Sequence, residues 1–500
     1  MKKEILALTA ALALSAGTAL AVPYASQIRV SNTSPSVGTS TIISYQLNQA
    51  ADTVLIEVVD DENAVLASFA GTTDQGANSV VWDLTVDNEG GDAVEDGTGY
   101  RVRITAEADQ PEEWTWFAVN QSEFNEDYAI EDIYWNEGDL APLNPRSLFH
   151  RFRAHSVAVP KNPDLDIFGH ILCPSSESDW ADHTRPHAGI IWLNPDLTPP
   201  EGSEGGFNTR TLRHPNDPDD AGFQDIWYAS EDPANPGHYF VTGQGGVTQL
   251  IYGDPLVDTF AINANPDEVA LGSPRTHAVV GTDQTDRVIY FAAGGSVTRG
   301  DLNEDNQVVG PLVDILDVSG FYSKHVFVDS EGNLIWLARD DGDAGGGAVH
   351  RWLAADVEGA GEGSLTAANA DWAFTAPDID RLHEVAELPN GDIVVASTAG
   401  INVIGNVADT ELSGVIDPNA AAFAFPGEVA LSTYGTGIDA DAFGNIYYAT
   451  IGVTATPRQG FVVAGLSPGG QSSTEVLAPL SQTVTIDPEP TSVPMWQIWE

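Results

Sequence analysis

The strongest constraint on the fold is a unit that recurs about every 50 residues over the last two thirds of the chain. Each unit has two short apolar runs joined by a turn rich in Gly, Asn and Asp. Clear copies span Gly437 to Ala449, His325 to Ala338, and His383 to Ala396, and weaker copies begin at His155, Asp225 and His277. One such unit cannot bury its own apolar face, so the units must stack. A period near 50 residues with two hairpins per unit is typical of a β-propeller blade.

The repeat units resemble the NHL and gluconolactonase-type propeller repeats over about two thirds of the chain. This resemblance implies a β-propeller over residues 151–480. We count six blades, or seven if residues 128–150 pair with the C-terminal strand.

Residues 25–108 follow a different pattern, with short alternating strands between Asp, Asn and Gly turns, as in a β-sandwich. Trp82-Asp83, the acidic and Gly-rich turn Asp87 to Asp92, and Gly97 to Tyr100 resemble the Ig-like domain of flagellar hook-capping proteins. That resemblance covers about one sixth of the chain and implies a packing and assembly module without catalytic residues. The predicted fold class is therefore all-β, with an N-terminal Ig-like β-sandwich followed by a six-bladed or seven-bladed propeller.

The sequence divides into five predicted segments. These are a signal peptide (1–21), an Ig-like sandwich (22–108), an aromatic acidic connector (109–150), the propeller (151–480), and a closing strand with a tail (481–500). Thr483 to Ile486 alternates like a strand, and we expect it to close the propeller by pairing near residue 151. Trp496 and Trp499 in the tail pack on the connector in one interpretation and drive assembly in the other.

The N-terminus has the pattern of an export signal. Lys2 and Lys3 precede an apolar run from Ile5 to Leu20, and Ala19 and Ala21 are the small residues that a signal peptidase recognises. We therefore expect a secreted protein, extracellular or periplasmic, cleaved after Ala21. No later run is apolar enough for a membrane span, so we predict no transmembrane anchor.

The charge is extreme, with 20 Lys and Arg against 73 Asp and Glu and a formal net charge of −53. Such a surface repels nucleic acids, which excludes them as partners. Adaptation to high salt and calcium binding both explain this acidity, and the composition does not separate them. Asp301 to Val308 resembles the start of a calcium loop. Asn306 and Leu312 replace its glycine and final carboxylate, however, so we favour a hairpin turn. Cys173 is the only cysteine, so the chain forms no intramolecular disulfide.

Four histidines occupy one repeat position: His155, His277, His325 and His383. Basic residues precede each of them, namely Arg153, Arg275, Lys324 and Arg381. Because inner strands border the axis of a propeller, these side chains could converge on a divalent metal. Duplication of one structural histidine is the alternative, and an anion or ligand pocket is a third. Asp225 and Gly437 occupy the same position in the other two units.

A second cluster lies in an insertion of the first unit and contains His170, Cys173, Asp179, Asp182, His183 and His187. Pro186 interrupts any helix there, so we favour an ordered loop with a buried cysteine over a metal site.

Two functions remain open. The first is a secreted, non-enzymatic binding or assembly protein of the bacterial cell exterior, whose partner is a protein, a cell-surface polymer or a second copy of the chain. The second is a metal-dependent propeller enzyme of the lyase or oxygenase type that uses the histidine ring. The cofactor expectation is a divalent metal or calcium.

Overall fold

The structure is a computed structural model. It describes residues 23–109, 115–118, 153–176, 189–197, 225–244, 249–255, 262–265, 271, 274–317, 322–339, 346–406, 412–422, 436–450, 461–466 and 473–488. This part of the chain is all-β apart from one short helix, α1 (Ala354–Glu358), and three 3-10 helices (Ala367–Asn369, Pro418–Ala420 and Leu480–Gln482). Within the same ranges, no helix has the length and hydropathy needed to span a membrane. The predicted signal peptide and the tryptophans of the tail lie outside the described residues.

Two antiparallel sheets share one hydrophobic core in the N-terminal part. The first sheet has the order β1-β2-β5, with β1 (Ala25–Val30), β2 (Thr41–Leu47) and β5 (Gly76–Trp82). The second has the order β30-β6-β3-β4, with β3 (Thr53–Val59), β4 (Val65–Ala70), β6 (Gly97–Glu107) and β30 (Ser473–Leu477). Alternate side chains of β2 and β6 are buried, and Trp82, Tyr45 and Ile104 pack in the core between the sheets.

The far end of the chain returns to this core. β30 pairs with β6 over Ser473–Leu477, and β31 (Val484–Ile486) pairs with the beginning of β6. The prediction that Thr483 to Ile486 pairs near residue 151 is therefore wrong. The alternation that predicted a strand is real, but Val484 and Ile486 bury their side chains in the N-terminal core.

Five further sheets follow along the chain. The first has the order β10-β9-β11-β12-β13-β14, with β8 (Arg153–Ala154) beside β9 (Ile171–Ser176), β10 (Gly189–Leu193), β11 (Asp225–Glu231), β12 (Tyr239–Gln244), β13 (Leu250–Gly253) and β14 (Ile262–Asn263). The second is an antiparallel meander of β15 (Thr276–Val280), β16 (Arg287–Ala293), β17 (Ser296–Leu302) and β18 (Val308–Asp314).

The other three sheets repeat the meander. One contains β19 (Ser323–Val328), β20 (Leu334–Ala338), β21 (Gly347–Trp352), β22 (Trp372–Ala376) and a parallel edge strand, β26 (Ser413–Val415). The next contains β23 (Leu382–Glu387), β24 (Asp392–Ser397) and β25 (Gly400–Asn406). The last contains β27 (Thr436–Ala440), β28 (Ile446–Thr450) and β29 (Phe461–Leu466), completed by β7 (Thr115–Ala118) from the predicted connector.

The strands that start the repeat units lie next to one another. β11, β15, β19, β23 and β27 contact each other in that order, and we call them the first strands. We call the contact between one repeat unit and the next a seam. At four successive seams, a side chain of one first strand accepts a hydrogen bond from a backbone N–H of the next unit. The pairs are Val326 N to Thr276 Oγ1 (3.1 Å), Val385 N to His325 Nδ1 (3.1 Å), Ile438 N to Glu384 Oε2 (2.7 Å), and Val159 N to Asp439 Oδ2 (2.8 Å). These bonds occupy backbone donors along the edges of the first strands that face the preceding unit.

The Asp of the repeat unit has a structural role in the hairpin turn. Asp441 Oδ1 accepts hydrogen bonds from the backbone N–H groups of Phe443 and Asn445, and the Asn445 amide donates to Oδ2. Asp329 makes the same set of bonds within its own turn. Gly444 takes a positive φ of 89°, which a side chain would disfavour. The turn motif is thus a folding signal.

Asp441 provides a test of stability against pH. Burial raises the pKa of Asp441 from 3.8 to about 6, while the hydrogen bonds of its turn oppose that rise. Because the folded-state pKa lies above the unfolded value, the native state binds the proton more tightly, and this stability is lost as pH rises from 4 through 6. The thermal midpoint of the wild type relative to Asp441→Asn should therefore fall over that interval. The pKa shift of Asp441 corresponds to a change of about 3 kcal/mol in the free energy of unfolding. A constant difference between the two midpoints would contradict the assignment.

The segment that resembles a calcium loop is a hairpin turn, as expected. β17 and β18 pair on either side of it through Leu302 and Val308, and Asn303 N donates to Gln307 O at 3.0 Å. Asn306 adopts a positive φ of 62°, a conformation that Asn tolerates better than most residues.

Candidate ligand-binding site

The four predicted histidines are all buried near the beginning of their repeat units. His277 and His325 lie on two sides of Tyr228, with ring centroids 5.2 Å from the Tyr228 ring in each case. His155 instead lies against Trp227, at 4.0 Å between centroids. Among the residues described, no group of three or more His, Cys, Asp and Glu side chains is placed to hold a metal ion. The structure thus places His277 and His325 beside one tyrosine, and a metal site at the four histidines stays a prediction.

His277 and His325 are held as neutral imidazoles. Burial lowers the pKa of His277 to about 3, and burial with the nearby Lys324 charge moves the pKa of His325 well below 6.5. A neutral ring nitrogen can accept a hydrogen bond, and His325 Nδ1 accepts one from the backbone of Val385 across a seam. His325 therefore has the structural role that duplication implies.

Gly437 occupies the histidine position of the last unit for a steric reason. A Cβ atom at Gly437 would lie 2.3 Å from the Cα atom of Ser156, so no side chain fits where this unit meets the first one. The missing histidine is a consequence of close packing between the last and first repeat units.

A cavity of about 200 Å³ lies between the first strands. Its wall contains six segments that start the six repeat units, namely 157–159 with Lys161, 228–231, 277–279, 327–328, 385 and 438–439, and also Tyr239 of β12. Val157, Val279, Phe327 and Ile438 form much of its apolar surface. We call this space the axial cavity.

Charged side chains lie at the end of the axial cavity where the first strands finish. Lys161 Nζ is 3.2 Å from Asp439 Oδ1, and 42% of the Lys161 side chain is exposed. Desolvation acts to lower the pKa of Lys161, but the Asp439 carboxylate outweighs it and the pKa lies above its usual value. Burial raises the pKa of Glu231, and Gly237 N donates to its Oε1 at 2.7 Å. This end carries one cation and two carboxylates.

Three side chains that line the cavity carry a buried polar atom without a hydrogen-bond partner among the described residues: Ser230 Oγ, Tyr239 Oη and His277 Nε2. Tyr239 is 1% exposed and His277 is fully buried. A buried polar atom that lacks a partner costs about 1–3 kcal/mol, so proteins rarely keep one without a reason. Three such side chains thus gather around one cavity.

The residues at this charged end were missed by the sequence reasoning, which followed the start of each unit. Lys161 and Glu231 come after the apolar part of a first-strand segment, whereas Asp439 lies within β27. Because Asp439 does not share the repeat position of the other two residues, the repeat gave no signal that joins the three.

The second predicted cluster divides between described and undescribed residues. His170 is buried, with Nδ1 3.4 Å from the amide nitrogen of Gln27. Cys173 is buried in β9, and burial raises the pKa of its thiol to about 12, so the thiol stays protonated. Asp179, Asp182, His183 and His187 lie outside the described residues.

The chain matches no known family model, and no curated protein matches it. Solved structures to which it is similar include a protein of unknown function from Dyadobacter fermentans (11% identity, TM-score 0.36, covering 64% of this chain and 95% of that one). They also include a gluconolactonase from Xanthomonas campestris (13%, 0.30, 46% and 82%). A third is the extracellular domain of a putative hybrid two-component system from B. thetaiotaomicron (10%, 0.33, 85% and 56%). β-Propellers are among these neighbours, but the low scores carry no argument about activity.

Proposed function

We propose that this chain is a secreted binding protein of the bacterial cell exterior, in which an Ig-like sandwich carries a six-bladed propeller. The axial cavity takes a small polar ligand. One observation carries the binding role: among the described residues, three side chains with a buried, unpartnered polar atom line the same cavity. The export signal, with its Lys2-Lys3 start and Ala19 and Ala21, supports secretion, and the purified exported chain should begin at Val22.

The count of six blades rests on the cavity wall and the seams. Each of the six repeat units contributes the segment at its start to the wall. The last hydrogen bond of the series joins Asp439 to Val159, so the sixth unit meets the first one directly. A seventh blade would have to separate these two residues.

The chemistry of the wall favours a neutral, hydroxyl-bearing ligand of about the size of one sugar ring. A space of 200 Å³ is equivalent to roughly seven water molecules in the liquid. The carboxylates of Glu231 and Asp439 accept hydrogen bonds, while Tyr239 and Ser230 can also donate them. A hydroxyl group both donates and accepts, so it suits a wall that presents both kinds of partner.

Calorimetric titration with D-glucose, D-galactose, D-mannose and glycerol tests this function directly. At least one of these should bind with one site per chain, and Glu231→Gln should weaken that binding. Failure of all four to bind would overturn the proposed ligand class.

The second test compares two tyrosines in the same sheet. Tyr239→Phe removes a hydroxyl without a partner, so the free protein should keep or gain stability, while ligand binding weakens. Tyr252→Phe is the matched control, since its hydroxyl donates to Asp232 at 3.0 Å and accepts from Asn235 at 2.9 Å. The control should lose about 1–2 kcal/mol in urea unfolding and keep its ligand affinity. Equal loss of stability in both variants would show that the Tyr239 hydroxyl is a structural group.

A further inference from the structure

Basic side chains gather at the other end of the first strands, in a chain with only 20 Lys and Arg residues. The Arg275 guanidinium lies 4.6 Å from the Trp227 ring centre and 5.2 Å from that of Tyr322. Lys324 Nζ lies 5.5 Å from the same Trp227 ring, and the Arg339 guanidinium lies 4.7 Å from Tyr322. We call Arg275, Lys324, Arg339 and these two aromatic rings the basic cluster.

Buried Lys324 and half-buried Arg275 differ from the other buried cations among the described residues. Arg287 and Arg351 are fully buried, and each contacts a carboxylate, Asp232 and Asp371 respectively. Lys324 is 4% exposed, yet neither it nor Arg275 forms an ion pair with a carboxylate in the part of the chain that is described. Burial and the Arg275 charge lower the pKa of Lys324 to about 7, although the Glu384 carboxylate opposes them. A buried ammonium normally has a counter-charge, because its desolvation is costly.

The arginine is held in an orientation suited to binding an anion. Arg275 Nε donates to Tyr322 Oη at 3.1 Å, and the Trp227 and Tyr322 rings fix the guanidinium from two sides. This arrangement uses one edge of the guanidinium. The other donors keep the planar geometry that matches two oxygens of a carboxylate or phosphate.

His383 adds an independent sign of a missing ligand. Its side chain is fully buried, and neither Nδ1 nor Nε2 has a hydrogen-bond partner among the described residues. Its strand, β23, lies beside the strand of Lys324, since Val385 N donates to His325 Nδ1. Burial lowers the pKa of His383, and the charges of Lys324, Arg381 and Arg339 lower it further. A neutral imidazole carries one N–H that can donate to an oxygen of a bound anion.

We propose that the basic cluster binds the oxyanion group of a small molecule, a carboxylate or a phosphate, through Arg275, Lys324 and the His383 ring. This site is separate from the hydroxyl-binding wall of the axial cavity, because the first strands run from the basic cluster towards Lys161, Glu231 and Asp439. An anion would supply a counter-charge in direct contact, which no described carboxylate provides to Lys324 or Arg275, although Glu384 acts on Lys324 from a greater distance.

The test is calorimetry on the full mature chain, titrated with sodium phosphate and, separately, with sodium acetate at constant ionic strength set by NaCl. The wild type should bind one of the two with one site per chain. Lys324→Met and Arg275→Gln should each lower the affinity at least about tenfold, the equivalent of one charged hydrogen bond. Both variants remove a charge that has no ion-pair partner among the described residues, so both should fold. If Lys324→Met does not fold, Arg275→Gln alone tests the proposal.

Arg299→Gln is the matched control. Arg299 lies on β17 outside the basic cluster, with 27% of its side chain exposed, and its loss changes the net charge by the same amount. Its affinity for the anion should equal that of the wild type. Binding of acetate alone identifies a carboxylate ligand, and binding of phosphate alone identifies a phosphate ligand. Binding of neither anion, or an equal loss in Arg299→Gln, overturns the proposal.

Discussion

Replacing Arg287 by Met should lower the free energy of unfolding by about 3–5 kcal/mol. The Arg287 and Asp232 side chains are both fully buried, with Nη1 2.6 Å from Oδ2. The other end of the guanidinium donates to Asn303 O and to Asn306 Oδ1, at 3.1 and 2.7 Å. The substitution therefore leaves the Asp232 carboxylate buried without its counter-charge and frees the turn between β17 and β18. Urea unfolding followed by circular dichroism measures the loss.

Arg299→Met in the neighbouring strand is the control for this loss. Arg299 is 3.9 Å from Asp301, whose side chain is 68% exposed. Solvent screens such a pair, so its removal should change stability by less than about 1 kcal/mol. Similar losses in the two variants would mean that burial does not determine how much the Arg287–Asp232 ion pair contributes to the free energy of unfolding.

Ile486→Asp should destabilise the N-terminal sheets by roughly 5 kcal/mol or more. Ile486 is 1% exposed in the hydrophobic core between those sheets, although it lies at the far end of the chain. Loss of a buried isoleucine side chain alone costs about 2–5 kcal/mol, and a buried carboxylate adds to that. Hydrogen exchange of β6 peptides should rise sharply, because β31 pairs with this strand.

Leu480→Asp, six residues earlier, is the matched control. Leu480 is 64% exposed, so its replacement should leave both stability and exchange within about 0.5 kcal/mol of the wild type. If Ile486→Asp behaves like this control, residues 484–486 do not belong to the N-terminal core in solution.

The sequence predicted local structure well, because the hairpin carries its own signals. The unit from Gly437 to Ala449 becomes β27 and β28 with its turn at Gly444, and Thr53 to Val59 becomes β3 without a shift. Pairings between distant segments were not predicted. β7 joins β29, and β30 joins β6, across more than 300 residues. A strand's side-chain pattern records which face is buried but not which strand lies beside it.

The sequence predicted only the part of the candidate site that lies at the beginning of the first strands. The repeat placed His277, His325 and the basic residues Arg275 and Lys324 in one region, as the structure does. The repeat did not reveal that His325 accepts a hydrogen bond from a backbone N–H of the next unit. Such bonds depend on how one unit is rotated relative to the next, which the repeat does not record. Nor did it reveal the role of Trp227, which contacts two cations and lies in the unit that has Asp225 at the histidine position.

The pairing of β6 with β30 and β31 also constrains the order in which the protein can assemble. Residues 25–107 form most of their own sheets, but the edge of β6 and part of the core wait for residues 473–486. During synthesis or export, the nascent chain must therefore hold an open strand edge until more than 300 further residues have emerged. Open edges recruit other strands, so this interval is when the chain is most exposed to aggregation and proteolysis. The dependence of expression on chaperones should therefore be determined by β30 and β31, which are distant in sequence from the sheet that they complete.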